Sequence, residues 1–316
     1  MNMEIISGTK DIYINGPSCV AIGKFDGVHI GHQSLLMEIS QYAKSHADED
    51  FKSVVFTFDP APETFFGGDG RVLTTPAEKR ILFERKGVDI LIEYPFDKKT
   101  ADTEPLDFLN DLIVGRIGAV MMAAGSDLSF GKKGLGNADL LKSYGVENGI
   151  FVRIIDKLTV SLDKEYEVSS TLIRQMISEA KMEEAEELLG IPYFVFGKVV
   201  HGNHMGHTLG FPTVNIVPEE DKLLPPNGVY TSDVIIDGRR YAGLTNIGTK
   251  PTVSDHEVRG AETYIYDFEG DVYGCDAEIY LKHFCRPETR FESLDALKER
   301  LAADIEQYRP QKHKMD

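Results

Sequence analysis

Three cysteines are few for 316 residues, and Cys19, Cys275 and Cys285 stand far apart or within apolar alternation, with no CxxC spacing. That excludes a disulfide framework and a thiolate metal or redox pair, leaving buried free thiols as the expectation. No apolar run reaches the length of a membrane span, and the opening MNMEIISGTKDIYINGP lacks a basic start followed by an apolar stretch. Neither a membrane partner nor a secretory signal is expected, and a cytoplasmic protein is. Positive charge is scarce: 34 Lys and Arg against 51 Asp and Glu give a formal net charge of −17. Nucleic-acid binding needs clustered cations, so no nucleic-acid partner is expected. Any phosphate site must be local, built from loops and backbone amides.

What is present suits an ordinary folded chain: 42% of residues are hydrophobic and 27% charged, and the length suits two domains. In the first half, SCVAIGKF, KSVVFTFDP, VDILIEYPF and GAVMMAAG are continuous apolar runs, as expected of strands buried on both faces. Between them lie helical patterns, the clearest being HQSLLMEISQYAKS, with Leu35, Leu36, Ile39, Tyr42 and Ala43 on one face. Strands interleaved with helices predict a parallel sheet that binds ligands beyond its carboxyl ends.

The stretch TLIRQMISEAKMEEAEELLG predicts a helix ending at Gly190, and the domain seam is placed there, giving domains 1–185 and 186–316. Beyond it, short Gly- and Pro-punctuated strands predict a small antiparallel barrel. AETYIYDF and VYGCDAEIYL, separated by EGD, read as a hairpin, and SLDALKERLAADIEQY as a closing helix capped by Ser293 with a Leu294, Leu297, Leu301, Ile305 stripe.

The stretch GKFDGVHIGHQSLL puts His29 and His32 where a strand turns into a helix, with Gly23, Gly27 and Gly31 letting the backbone approach a ligand. A helix N-terminus offers unpaired N–H groups to anions, and two imidazoles can donate to phosphate oxygens there. Taken alone, the turn fits equally a helix-end histidine beside a core histidine. Asp127, after GAVMMAAG, falls at the ligand edge of the sheet or simply shapes a turn. Ser170 or Thr171 reads as the cap of a helix carrying Arg174.

The segment GKFDGVHIGH resembles the signature of the HIGH-type nucleotidyltransferases, in the form found in bacterial bifunctional riboflavin kinase/FAD synthetases. FTFDP, LTTPAEK, GSDLSFGK and VSSTLIR extend the resemblance, and HGNHMGHTLGFPTVNI, NIGTKPTV, AETYIYDFEGDVYG and CRPETRFESLDALK carry it through a riboflavin kinase module. The resemblance implies a Rossmann-like nucleotidyltransferase domain followed by a small riboflavin-kinase-type β-barrel with a C-terminal helix. It implies phosphorylation of riboflavin to FMN, then adenylylation of FMN to FAD with release of pyrophosphate. Riboflavin, FMN and ATP are the implied partners, with Mg²⁺ accompanying ATP, no tightly bound prosthetic group, and a monomer or weak oligomer.

In the first domain the resemblance implies that His29 and His32 act on the ATP phosphates, with nucleotide contacts from Gly23, Phe25, Asp26, Gly31 and Asp127 and a second phosphate grip from Ser169, Ser170, Thr171 and Arg174. In the second it implies Glu262 as general base, Thr213 and Asn215 as metal-holding groups, and a phosphate cradle from Gly202, Gly206, Gly210 and Pro212. The chain departs from the family at Ala61, Leu128 and Ser129, at His207 in place of an Arg, and at Tyr264 in place of a His. A weakened or inactive adenylyltransferase half, leaving a kinase alone, is therefore the alternative. The even spacing of His201, His204 and His207 fits no zinc pattern.

Overall fold

The run Ser-Cys-Val-Ala-Ile, with all five side chains buried, forms the centre of the first sheet, since an unbroken apolar run suits a strand covered on both faces. The structure, a computed structural model, describes residues 3–68, 70–201, 213–251 and 257–310. The chain divides into two compact units, Met1–Ser170 and Thr171–Asp316.

In the first unit, strands β1 (Glu4–Ser7), β2 (Ser18–Ile22), β3 (Lys52–Asp59), β4 (Ile90–Pro95), β5 (Ala119–Gly125) and β6 (Phe151–Ile155) form one sheet. Its order is β1-β4-β3-β2-β5-β6, and every pairing is parallel. Helix α1 (Ile30–Ser45) packs on β2, β3 and β5 and buries Leu35, Leu36, Ile39 and Ala43, four of the five residues expected on its inner face. Val20, Ile22, Val54, Phe56, Ile92 and Met122 belong to the core, and helices α2 (Pro76–Arg85) and α3 (Ala138–Asn148) follow α1 along the chain. The chain leaves β2 toward β3 on one side, while β5 lies on the other, so a crevice opens at the carboxyl ends of β2 and β5. Strands β1 and β6 were not expected: they lie at the sheet's edges with mostly exposed or half-buried side chains and carry no continuous apolar signal.

The stretch expected as one helix is two, α4 (Ser170–Ser178) and α5 (Met182–Leu189), broken where Ala180 turns left-handed at φ 58°. Gly190, at φ 74°, ends α5, and its N–H reaches Glu186 O at 2.6 Å. The boundary expected at 185/186 falls inside α5, which packs on two strands of the barrel that follows.

That barrel comprises β7 (Tyr193–Val200), β8 (Thr213–Ile216), β9 (Gly228–Ile236), β10 (Arg239–Pro251), β11 (Glu257–Ile265) and β12 (Asp276–Pro287). It closes in the order β7-β8-β11-β10-β9-β12 through antiparallel pairs. The expected hairpin between residues 261–268 and 272–281 is therefore corrected: β11 pairs with β8 and β10, β12 with β7 and β9. Alternation identified both strands, but alternation does not name a partner. The tight hairpin joins β9 to β10 through Asp237 and Gly238, left-handed at φ 49° and 73°, as a two-residue turn of this type requires.

Helix α6 (Leu294–Gln307) is capped by Ser293, whose hydroxyl accepts from Ala296 N–H at 3.1 Å. Its docking differs from the expected stripe, since Leu294 is 61% exposed while Asp304 and Ile305 are buried. Arg286 donates twice to Asp304 Oδ2, at 2.9 and 2.6 Å, and Tyr266 OH donates to Ile305 O at 3.0 Å. Asp304→Ala would strand a largely buried guanidinium, so it should destabilise the second unit by about 3–5 kcal/mol. Leu294→Ala should cost less than about 1 kcal/mol. Denaturant unfolding with amide exchange on α6 and β12 checks both; equal effects of the two substitutions would reject the ion pair as the latch.

Candidate active sites

The histidine turn is built on an unusual backbone. Between β2 and α1, Phe25, Gly27 and Val28 lie in the left-handed region at φ 53°, 82° and 43°. For Phe and especially β-branched Val this conformation is disfavoured, so the surroundings must impose it. Asp26 Oδ1 accepts from Leu73 and Thr74 N–H at 2.8 and 3.3 Å, Gly27 N–H donates to Thr74 Oγ1 at 2.9 Å, and Gln33 Nε2 donates to Val28 O at 2.9 Å. Ser170 Oγ donates to Asp26 O at 2.9 Å.

His29 is the N-cap of α1: its Nδ1 accepts from His32 N–H at 3.3 Å, which puts the proton of the neutral ring on Nε2. The two imidazoles stack with centroids 3.6 Å apart, and Phe25, fully buried, lies 5.2 Å from the His32 ring. Gly31 has no room for a side chain without pressing the His29 ring, which a Cβ there would meet at 3.2 Å. Burial pushes His29 down to about 4, against the smaller pull of Asp127 and Asp26. Burial, then the neighbouring His29 and Lys79, hold His32 well below the usual imidazole range. The pair is neutral at pH 7, and His32 Nδ1 is buried without a hydrogen-bond partner among the described residues.

Around the turn, the exposed Asp127 folds back over Gly125 at the end of β5 and pairs with Lys157 at 3.9 Å. Lys24 pairs with Glu63, tying the turn to the short helix Pro62–Phe65 that follows Ala61. Phe65 and Phe66, both exposed, meet Phe96 edge-on at 5.4 and 6.0 Å. This aromatic face escaped the sequence reading, although FF followed FDPAP in plain view. Gly23 directly follows β2, and its N–H donates to Phe56 O at 3.2 Å. Ser169 precedes α4, Ser170 opens it, and Thr171 and Arg174 lie on it within the second unit.

In the barrel, antiparallel register places Glu262 directly opposite Asn215 on β8 and Asn246 on β10, and Tyr264 opposite Thr213. Thr213 Oγ1 donates to Glu262 Oε1 at 2.7 Å. Asn215 is buried. A hydroxyl, a carboxamide and a carboxylate on one face supply oxygen donors, the set a hard divalent cation accepts. Asn246 was not anticipated; only register brings it beside Glu262. Gly202, Gly206, Gly210 and Pro212, with His204 and His207, lie outside the described residues.

Comparison with known proteins follows this division. A family model described as FAD synthetase matches residues 12–172 and one described as riboflavin kinase matches residues 189–311. A bifunctional riboflavin kinase/FMN adenylyltransferase of Listeria monocytogenes is 36% identical over 94% of this chain and 93% of its own. The protein of the same name from Escherichia coli is 35% identical over 96% of each. A crystal structure from Streptococcus pneumoniae, described as a macrolide-efflux protein, aligns with a TM-score of 0.83 at 33% identity, covering 98% of this chain and 100% of that one. Among the described residues no helix is long and apolar enough to cross a membrane.

Because His29 binds a proton near pH 4 when folded and near its ordinary value of 6.5 when unfolded, acid favours the unfolded chain. Stability of the first unit should rise from about pH 4 to about pH 6.5 and then level off. His29→Asn keeps a capping oxygen and removes that titration, so the drop in urea midpoint between pH 7 and pH 5 should be smaller than in the parent. An undiminished drop would show that His29 is not the titrating group.

Proposed function

The chain belongs to the bifunctional riboflavin kinase/FMN adenylyltransferase family, and from that premise we propose which residues carry each reaction. The protein phosphorylates riboflavin to FMN and adenylylates FMN to FAD. Both halves match their own family model, so a kinase alone is not supported. Families of this type use ATP with a divalent metal, and we take the ion to be Mg²⁺. Substrates of this kind fit a cytoplasmic protein, acting as a monomer or weak oligomer.

The observation that carries the residue assignment is the 2.7 Å bond from Thr213 to Glu262, with Asn215 and Asn246 directly across the sheet. In the kinase half, Glu262 takes the proton of riboflavin's terminal ribityl hydroxyl as its oxygen bonds to the γ-phosphorus of ATP and ADP departs. Thr213 orients the carboxylate, and Thr213 and Asn215 would hold the metal, which neutralises charge on the phosphates. The loop containing Gly202, Gly206, Gly210 and Pro212 is proposed, on resemblance, to cradle those phosphates.

In the adenylyltransferase half, an FMN phosphate oxygen bonds to the α-phosphorus of ATP while the bond to pyrophosphate breaks. The nucleophile is already anionic, so no base is needed. His29 and His32 are proposed to donate ring protons to phosphate oxygens, and the N-terminus of α1 adds backbone N–H groups, a local way to stabilise charge on the leaving group. Gly23 and Gly31 leave room for the Phe25 and His29 rings and are assigned nucleotide contacts on the resemblance, while Phe25 and Asp26 shape the turn. Ser169 and Ser170 are proposed to add hydroxyls beside it; Thr171, Arg174 and Asp127 are assigned on the resemblance. Phe65 and Phe66 offer an aromatic face for the isoalloxazine ring.

Two outcomes test this assignment. Glu262→Gln should lower FMN formation from riboflavin by about 10²–10⁴-fold and leave FAD formation from supplied FMN within about twofold. Ala61→His, restoring the family's residue, should raise the FAD-forming rate. Chromatographic separation of the flavins reads both. FMN formation undiminished in Glu262→Gln would remove Glu262 as base, and an unchanged rate in Ala61→His would remove Ala61 as a cause of slow adenylylation.

A further inference from the structure

Lys79 is conspicuous among the buried charges of the first unit. It sits on α2 (Pro76–Arg85), whose start is fixed by Pro76 and by a capping box between Thr75 and Glu78. Only 9% of Lys79 is exposed, and its Nζ donates to the backbone carbonyl of Lys24 at 3.1 Å. Thr57 Oγ1, from β3, donates to the same carbonyl at 3.3 Å. The next acidic neighbour along the sheet, Glu93 on β4, is engaged by Arg80, which donates to it twice, at 2.9 and 2.5 Å.

The Lys24 carbonyl is the last backbone acceptor before the left-handed stretch from Phe25 to Val28. Non-glycine residues in that conformation cost of the order of 1–3 kcal/mol each and persist only where contacts over-determine them. The segment Leu73–Lys79 clamps the stretch at several points: Leu73 and Thr74 N–H on Asp26, Thr74 Oγ1 on Gly27, and Lys79 Nζ on Lys24. A neutral donor would satisfy a carbonyl, yet the chain uses an ammonium and accepts the desolvation of a charge.

We propose that Lys79 is a positioning residue for adenylyl transfer: its buried ammonium pins the Lys24 carbonyl and thereby sets where the His29 and His32 rings stand. The proposal rests on the assignment of the histidine turn to that reaction. Charge acts in the same direction as geometry. Lys79 lies close enough to hold His32 down, after burial and His29, while Asp26, Glu93, Asp59 and Glu63 surround the ammonium and Asp127 and Asp26 pull His29 upward. Burial outweighs those four carboxylates and lowers Lys79 itself. Protonation of His32 would put a charge beside the stacked His29 ring, and Lys79 is among the groups that oppose it, so loss of the Lys79 charge should bring that acid failure to higher pH.

The test compares Lys79→Met and Lys79→Arg in the full chain, assaying FAD formation from FMN and ATP across pH 4.5–8, with FMN formation from riboflavin as the control in the other unit. Lys79→Met should lower kcat for FAD formation by about 10–100-fold, with a smaller change in KM for ATP, unchanged FMN formation, and an acid limb moved to higher pH. Lys79→Arg, which keeps charge and donors, should hold the limb at its parental position. Lys79→Met with parental kcat and limb overturns the proposal, as does a limb that moves in Lys79→Arg as far as in Lys79→Met. Should Lys79→Met lose the first unit's unfolding transition, Lys79→Arg decides: a folded variant with a displaced limb overturns the proposal, and a parental limb supports it. Failure of the parent protein itself to make FAD would instead reject the underlying assignment.

Discussion

A chain with a net charge of −17 has to hold the polyanionic tail of ATP at two places, and long-range attraction works against it at both. Short-range donors in dry surroundings are the remaining means. In the first unit the donors proposed are the N-terminus of α1 and two imidazoles that burial keeps neutral. A neutral donor of this kind costs less to bury than an ammonium and suffers no repulsion from its stacked partner 3.6 Å away. In the second, a row of hydroxyl, carboxamide and carboxylate side chains lines up by strand register, fit to share a hard cation with phosphate oxygens.

The left-handed turn has a consequence for the residues around it. Asp26 looks like a ligand contact in a nucleotide signature, yet its carboxylate is engaged with Leu73 and Thr74 N–H and its carbonyl with Ser170. These bonds hold the shape that carries His29 and His32. Gly31 is small because the His29 ring lies against it. On the proposed assignment site and scaffold are the same residues here, so a substitution in the turn would act on folding and on phosphate contact together.

Much of this was legible in the sequence, for identifiable reasons. The strands β2 to β5 announce themselves because burial on both faces leaves continuous apolar runs, and His29 and His32 because glycines and a helix start surround them. Edge strands β1 and β6 carry no such run. The pairing of β11 was misjudged because the alternation in AETYIYDF records which side is buried and is silent about the neighbour, whereas the Asp237–Gly238 turn between β9 and β10 carries partner information in its backbone. Asp304 lies on the buried face of α6 because Arg286 meets it there, a fact no helical wheel contains. Lys79 stands in LTTPAEK with nothing in the residue types around it to announce that it is enclosed. Positive φ at Phe25 and Val28 is invisible in residue types that avoid it.

The two reactions make unequal demands on the protein, and the residues reflect this. A ribityl hydroxyl is a poor nucleophile until its proton leaves, so the kinase half needs a base, the role proposed for Glu262, whose carboxylate accepts a hydrogen bond from Thr213. The phosphate of FMN needs no deprotonation, and adenylyl transfer can draw its rate from many small contributions of alignment and charge. Distributed catalysis tolerates loss of single contacts. On that reading the departures at Ala61, Leu128 and Ser129 weigh less than the histidine turn and its clamps, while in the barrel Tyr264, itself a departure, faces Thr213 directly across the sheet, where strand register also brings Asn215 and Asn246 to the side of Glu262.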